Sequence, residues 1–263
     1  MLLRLIAEKI KKIYRFRHSL WLMAVKQFKA KYAASFLGVF WVIINPVLIM
    51  LAITFVFTVV FKTEMENFGL FVLSGILPWM FLSGAVSETT PAFINQRGVL
   101  HQFGLPKEIL PLCTTLSYFF TFLLSWCLIY PVFLLSNPEI ARVFPLLPVI
   151  LLFTYLFASG IGLICSVANI FFRDIEHFLG VFMMFWFWAT PVFYTIEMVP
   201  EAFRWVFKFN PALPFVTFYH NIVFEGKIPA ISTFWEVACW TVFSMCLGLF
   251  VSVYFETRIL KQI

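Results

Sequence analysis

The sequence predicts an all-α, polytopic membrane protein with six transmembrane helices. Three observations predict it. Hydrophobic residues fill 62% of the 263 positions and charged residues only 12%, where a soluble chain carries about a quarter charged residues. Six stretches reach the roughly 20 mostly apolar residues needed to cross a hydrocarbon layer about 30 Å thick. The basic residues are also strongly asymmetric along the chain, as in a protein inserted with one side facing the cytoplasm.

Residues 1–36 form the first element. Nine of the nineteen Lys and Arg (Arg4, Lys9, Lys11, Lys12, Arg15, Arg17, Lys26, Lys29 and Lys31) precede the first long apolar run. Leu2, Leu3, Ile6, Ile10 and Ile13 recur at spacings of three and four, which suits a helix lying in the membrane interface. A second such helix is expected from Ser19 as N-cap, with Trp21, Leu22, Val25 and Phe28 on its apolar side. Two readings stand for this region: a lipid-surface anchor alone, or a cytoplasmic collar that also guards a channel entrance. Its charges run throughout, with no short apolar core before a small-residue cleavage site, so it reads as a retained segment rather than a signal peptide.

The six spans occupy residues 39–255 within a single transmembrane domain. Val39–Phe61 carries no charge, and Phe68–Gln96 is interrupted only by Glu88. Ile109–Pro138 and Val143–Phe172 are long uncharged runs, and Phe178–Ile196 and Val237–Phe255 are just long enough. An even number places both termini, including the tail 256–263, on one side. The opposite loops hold only Lys62, Arg142, Arg204, Lys208 and Lys227, so both termini are predicted cytoplasmic. Between spans five and six, four prolines break a stretch too apolar for an ordinary loop. Two short re-entrant helices are expected there: Glu197–Lys208, then one capped by Asn210 with Pro211 at its first position and stopped by Gly226. The loop Arg97–Glu108 is expected to form a helical turn or two before the stop at Pro106.

The chemistry of an enzyme is not assembled anywhere. No glycine opens a GxxxxGK[ST] loop, HExxH and GxSxG are absent, and His18, His101, His177 and His220 fall on different elements. No metal site or cofactor is expected. The five cysteines lie in apolar runs without a CxxC pair, and are expected as small buried thiols. The net charge of +6 invites a nucleic-acid reading, but the basic residues flank the membrane and point to anionic lipid instead.

Glu88, the one charge inside a span, is either a channel-facing contact answering Arg97 or a side chain snorkelling to the interface. Arg173-Asp174 is either a helix-ending ion pair or a contact to a partner. Phe185, Trp186, Phe187, Trp188, Phe193 and Tyr194 crowd around Pro191. Such aromatics form lipid-facing belts, or they line a pore, since sugar rings stack their C–H faces on aromatic rings.

Several segments then resemble one family: Lys26–Leu48 (KQFKAKYAASFLGVFWVIINPVL), Leu73–Thr90 (LSGILPWMFLSGAVSETT), Phe103–Leu112 (FGLPKEILPL), Asn169–Tyr194 (NIFFRDIEHFLGVFMMFWFWATPVFY) and Val199–Val216 (VPEAFRWVFKFNPALPFV). In order and spacing they are similar to the membrane subunit of type-two ABC exporters for lipid-linked polysaccharides, which serve O-antigen, capsule and teichoic acid export. The resemblance implies a homodimer in the bacterial inner membrane with the channel between protomers. Two copies of a separate ATPase, carrying the ATP and Mg, would dock below. It implies that Arg97, Gly98, Val99, Leu100, His101, Gln102, Phe103, Gly104 and Leu105 form the helix that couples to the ATPase. Phe36, Phe40, Trp41, Trp79, Phe81, Glu88, Trp186, Phe193 and Tyr194 are the channel or gate candidates. Lys26, Lys29, Lys31 and Arg97 are the candidates for lipid pyrophosphate. The alternative cargo is teichoic acid or a small lipophilic molecule.

Overall fold

Among the described residues, five helical stretches are long and apolar enough to cross a membrane: Gly38–Val60, Phe68–Thr89, Ile109–Ser136, Leu146–Phe171 and Ile231–Tyr254. The structure is a computed structural model; it describes residues 2–33, 35–96, 98 and 105–262, with side chains between 8 and 259. Two helices come first, α1 (Leu2–Arg15) and α2 (Arg17–Ala33), joined at Phe16. Then follow α3 (Trp41–Phe55), α4 (Phe68–Thr89), α5 (Ala92–Asn95), α6 (Ile109–Ser136), α7 (Ile140–Val143) and α8 (Leu146–Phe171). The remainder is α9 (Ile175–Trp188), α10 (Glu201–Phe207), α11 (Leu213–Tyr219), α12 (Ile231–Tyr254) and α13 (Glu256–Gln262). The chain is an all-helical, multi-pass membrane protein.

The expected fifth span is shorter than the sequence suggests. α9 has 14 residues, about 21 Å at 1.5 Å per residue. It stops where Pro191 cannot continue a helix and where Thr190 Oγ1 turns back onto the Trp186 carbonyl at 2.7 Å. The last span begins at Ile231 rather than Val237, because Glu236 near a helix end is tolerated. Even so, the two termini lie at one end of the bundle, since Lys9 of α1 donates to Glu256 of α13.

Helix α4 is the centre. Its residues from Phe68 to Trp79 are almost all buried, against α3 on one side and α6, α8 and α11 on the others. The tightest contact is between α8 and α12. Gly160 faces Ser244, and Gly248 faces the Gly160 carbonyl, so closely that a methyl group on either would come within 2.6 Å of backbone atoms. Membrane helices pack this way because lipid supplies no hydrophobic drive between them, and small residues let backbones approach.

α2 corrects one expectation. It starts at Arg17, and Ser19 lies inside the helix rather than capping it. It packs on α6 partly through the apolar residues expected, Trp21 and Phe28 meeting Phe120 at 4.9 and 6.1 Å between ring centroids. Ala24 is fully buried, and Gln27 reaches Gln96 and Cys113, while Trp21 and Leu22 stay 55% and 67% exposed. The side that α2 turns to the bundle is mixed, Leu20 and Met23 packing against buried apolar residues and Gln27 lining a polar cleft. The cysteines are free as expected, but Cys127, Cys239 and Cys246 lie on the outside of the bundle and only Cys113 is buried.

At the end that holds the termini, a charged cluster is buried. Glu108, at the start of α6, accepts from Lys9 at 3.1 Å and from Ser252 at 3.0 Å. Beside it Lys107 is 3% exposed, with no hydrogen-bond partner for its ammonium among the described residues. Burial lowers the Lys107 pKa to about 8 against the pull of Glu108 and Glu256, with Lys9 adding to the lowering. An unfolded lysine titrates near 10.4. Between pH 8 and about 10.4 the unfolded chain therefore binds more protons at this site, and stability rises with pH there. Thermal unfolding in detergent at pH 7.5 and 9.5 checks this: wild type should gain on Lys107→Met at the higher pH. An unchanged gap between the two proteins refutes it.

Candidate functional site

Three neighbouring clefts share lining residues along α2. The first, about 590 Å³, opens among Phe16, Met23, Lys26, Gln27, Gln96 and Leu105. The second, about 400 Å³, is walled by Gln27, Lys31, Glu88, Gln96, Thr114 and Tyr118. The third, about 160 Å³, lies between Lys31, Trp41, Asn45, Phe81 and Tyr118. Gln27 and Gln96 line the first two and hydrogen-bond each other at 3.2 Å. Lys31 and Tyr118 line the last two. The path thus runs from an amide-rich opening, past a charged junction, to an aromatic end.

Helical spacing builds these walls. Residues three and four apart share a helix face, so Gln27 and Lys31 fall in line on α2, as do Thr114, Tyr118 and Thr121 on α6. Gln96 donates to Thr114 Oγ1 at 3.2 Å, tying the end of α5 to α6. At the junction the Lys31 ammonium stands 3.6 Å from the Tyr118 ring centroid. The Glu88 carboxylate acts on both. The stem of Lys31 is exposed while its ammonium is drawn over the ring, and the loss of water there lowers its pKa against the raising pull of Glu88. The Lys31 ammonium has no carboxylate within ion-pair distance among the described contacts, so its charge is balanced only from farther off by Glu88.

The structure sorts the residues singled out from the sequence. Lys26, Lys31, Trp41, Phe81, Glu88 and Leu105 meet along this path. Lys29 is exposed and lines none of the three clefts, and Phe36 and Phe40 stand outside them on the surface. Gly98 is exposed; Arg97, Val99, Leu100, His101, Gln102, Phe103 and Gly104 lie outside the described residues. Glu88 therefore meets Lys31 and Tyr118, and its expected answer to Arg97 is not among the described contacts. Trp79, Trp186 and Phe193 form a separate aromatic joint. Trp79 meets Trp186 edge-on at 5.7 Å, and Phe193 lies between Phe57 at 5.2 Å and Phe187 at 5.4 Å. Tyr194 belongs to a fourth cleft at the far end of the bundle, with Glu197, His220, Glu225 and Glu236. Arg173 and Asp174 are both exposed in the turn between α8 and α9.

The segment after α9 folds back on itself. Asn210 Oδ1 accepts from Trp186 Nε1 at 2.8 Å and from the Ala212 N–H at 3.0 Å, and its Nδ2 donates to the Ala189 carbonyl at 2.9 Å. Asn210 thus closes the loop 189–210 at its base instead of capping a helix at Pro211; α11 begins at Leu213, with Pro214 in its first turn. Gly226 ends the returning segment at φ +68°, as expected of a stop. α11 itself is wedged into the core, with Phe215 stacked on Phe157 at 4.6 Å and Tyr219 on Trp126 at 5.4 Å. His220 bonds Ser74 through Nδ1 at 2.8 Å and stacks on Phe71. Removing the three Asn210 bonds above and the one its Nδ2 donates to Thr190 Oγ1 at 3.0 Å, in Asn210→Ala, should cost about 1–3 kcal/mol, read as a fall of several degrees in the thermal midpoint. A midpoint equal to wild type would show that the loop closes without it.

Tyr118, Gln27, Gln96 and Thr114 were not singled out from the sequence, and Asn210 was singled out only as a helix cap. The available signal was a run of uncharged polar residues at three and four spacing inside an apolar stretch, Thr114, Ser117, Tyr118 and Thr121.

Known proteins match over most of the chain. It is 29% identical to the O-antigen export system permease protein RfbA of Myxococcus xanthus over 95% of each chain. A protein of the same name from Klebsiella pneumoniae is 28% identical over 77% of this chain and 79% of its own. The polysialic acid transport protein KpsM of Escherichia coli is 19% identical over 86% and 88%. The profile of one family covers residues 18–224, taking in α2, the clefts and the folded-back segment, and the chain belongs to the ABC-2 type transporter family.

Proposed function

We propose that this chain is the channel-forming subunit of an ATP-driven exporter that moves a lipid-linked polysaccharide, O-antigen in the first place, across the bacterial inner membrane. The observation that carries this is the row of adjoining clefts, with Lys26 on the first, Lys31 and Glu88 on the second and aromatic rings on the third. A pyrophosphate needs cations that can be freed to meet it, while a glycan needs apolar ring faces and few deep polar traps. The names of relatives matched over nearly their whole length support this cargo.

The subunit works as a homodimer, with both termini cytoplasmic and two ATPase subunits beneath. α3 and α9 both flank α4 and leave Phe55, Val59, Phe182 and Phe185 exposed, a face that a second copy would cover. The sixth crossing is made by α9 together with residues 189–195, and the 197–226 segment re-enters from the outer side. Residues 97–105 take up the motion of the ATPase. ATP binding then favours one of two packings of the helices around the path, which is all that alternating opening requires.

Reconstitution with a partner ATPase that co-purifies with the chain tests the proposal. ATP hydrolysis should rise on adding lipid-linked O-antigen, and Arg97→Ala or Phe103→Ala should abolish that rise while the complex still assembles. Stimulation that survives both changes refutes the role of 97–105, and a complex indifferent to the glycan refutes the cargo.

A further inference from the structure

The charged cluster at the base of α6 joins three segments that are distant in sequence. Lys9 comes from α1, Glu108 from the turn that leads out of the 97–105 segment, and Ser252 and Glu256 from the joint of α12 and α13. With Lys107 the cluster holds two cations and two carboxylates, and the side chain of Glu108 is only 1% exposed. Taking such charges out of water is costly, and a buried ion network adds little to stability compared with apolar residues of the same volume. Apolar packing is already present beside it. Phe93, Leu110, Val167 and Ile259 form a buried group that docks α13 on the bundle. Holding α13 in place therefore does not require the charges. What an ion network adds is a fixed register between the parts it joins.

We propose that Lys9, Glu108 and Glu256 form an ionic clasp that makes α1 and α13 move with the return arm of the 97–105 segment. The proposal rests on the reading of that segment as the ATPase contact. Glu108 stands three residues beyond Leu105, so a displacement of the segment reaches it almost directly. From Glu108 the contact passes to Lys9 and α1, through the joint at Phe16 to α2, and so to Lys26 and Lys31 on the path. Lys9, Glu108 and Glu256 are positioning residues: they act on the clefts through α1 and α2. A contiguous chain of contacts is only an association until coupling is measured across it, so the test perturbs charge while keeping the fold.

Lys9→Glu and Glu256→Lys each put like charges into the cluster, and the double swap restores an opposite-charge pair between positions 9 and 256. In the reconstituted complex with its ATPase, glycan transported per ATP hydrolysed should fall at least about ten-fold in each single variant and recover to within about three-fold in the double. Lys12→Glu makes the same charge change on an exposed turn of α1 and should stay within about two-fold. Hydrogen exchange on the isolated chain gives a second readout that needs no ATPase. Amides of residues 2–15 and 256–262 should exchange faster in the single variants and return in the double. Faster exchange with unchanged transport per ATP overturns the role in coupling. A double variant as impaired as the worse single, though monodisperse, overturns the clasp itself. A wild-type chain that captures no ATPase refutes the reading beneath the proposal, while the exchange experiment still decides the clasp.

Discussion

Replacing Gly160 by leucine should destabilise the chain by about 3 kcal/mol or more, near the upper end of what overpacking costs. The contact explains the size of the effect. A methyl group at Gly160 would sit 2.4 Å from the Ser244 carbonyl carbon and 2.5 Å from its oxygen. These are backbone atoms of α12, so no side-chain rotation relieves the clash and the two helices must separate. Their separation would expose Ser244 and undo the packing of Leu163 and Leu249. The thermal midpoint in detergent should drop by roughly 6–12 °C, with poor recovery of monodisperse protein. Gly180→Ala supplies the opposite case, because a methyl group there meets nothing within 4 Å on α9. A helical alanine is better than glycine by roughly 0.5–1 kcal/mol, so its midpoint should hold or rise slightly. If both variants melt with wild type, α8 and α12 do not meet as described.

Lys31→Met should raise the glycan concentration needed for half-maximal ATPase stimulation at least about ten-fold, with an unchanged thermal midpoint. A hydrogen bond to a charged group contributes about 1.5–3 kcal/mol, and each 1.4 kcal/mol is a factor of ten in affinity. Methionine keeps the apolar stem along α2 and removes only the charge above Tyr118. Lys29 distinguishes this site from a general basic surface. It stands two residues away, yet lines none of the three clefts, and Lys29→Met should stay within about two-fold. Equal effects from the two substitutions would mean that lipid pyrophosphate meets a diffuse positive surface and not the Lys31 junction.

Much of the architecture was legible because lipid imposes it. A span must be long, apolar and hydrogen-bonded within itself, so α3, α4, α6, α8 and α12 could be read from the order of residues. Helix stops were legible where chemistry is local, as at Gly226. α9 was read too long because its apolar run continues past Pro191, and composition does not say where a helix turns into a closed loop. Asn210 makes that loop, and its partners Trp186, Ala189 and Thr190 come from another segment.

The site divides in the same way. Glu88 stood out because a charge inside an apolar run is rare and costly, and Lys31 as one of the basic residues that flank the first span. Gln27, Gln96 and Tyr118 did not, since an uncharged polar residue in a helix signals nothing until its neighbours are known. Nor does periodicity show that Gln27 of α2 lines a polar cleft, because its neighbours there, Gln96 and Thr114, come from other segments.

The order of residues by itself determined that the chain lives in a membrane, crosses it repeatedly as helices and contains no nucleotide-binding loop, because these depend on composition and on spacing within one segment. Tertiary structure alone decided which charges meet. Lys9, Glu108 and Glu256 are some hundred residues or more apart, and Lys31, Glu88 and Tyr118 come from three helices. The energy of a charge depends on its distance to the next charge and on the water around it; neither is fixed until the helices pack.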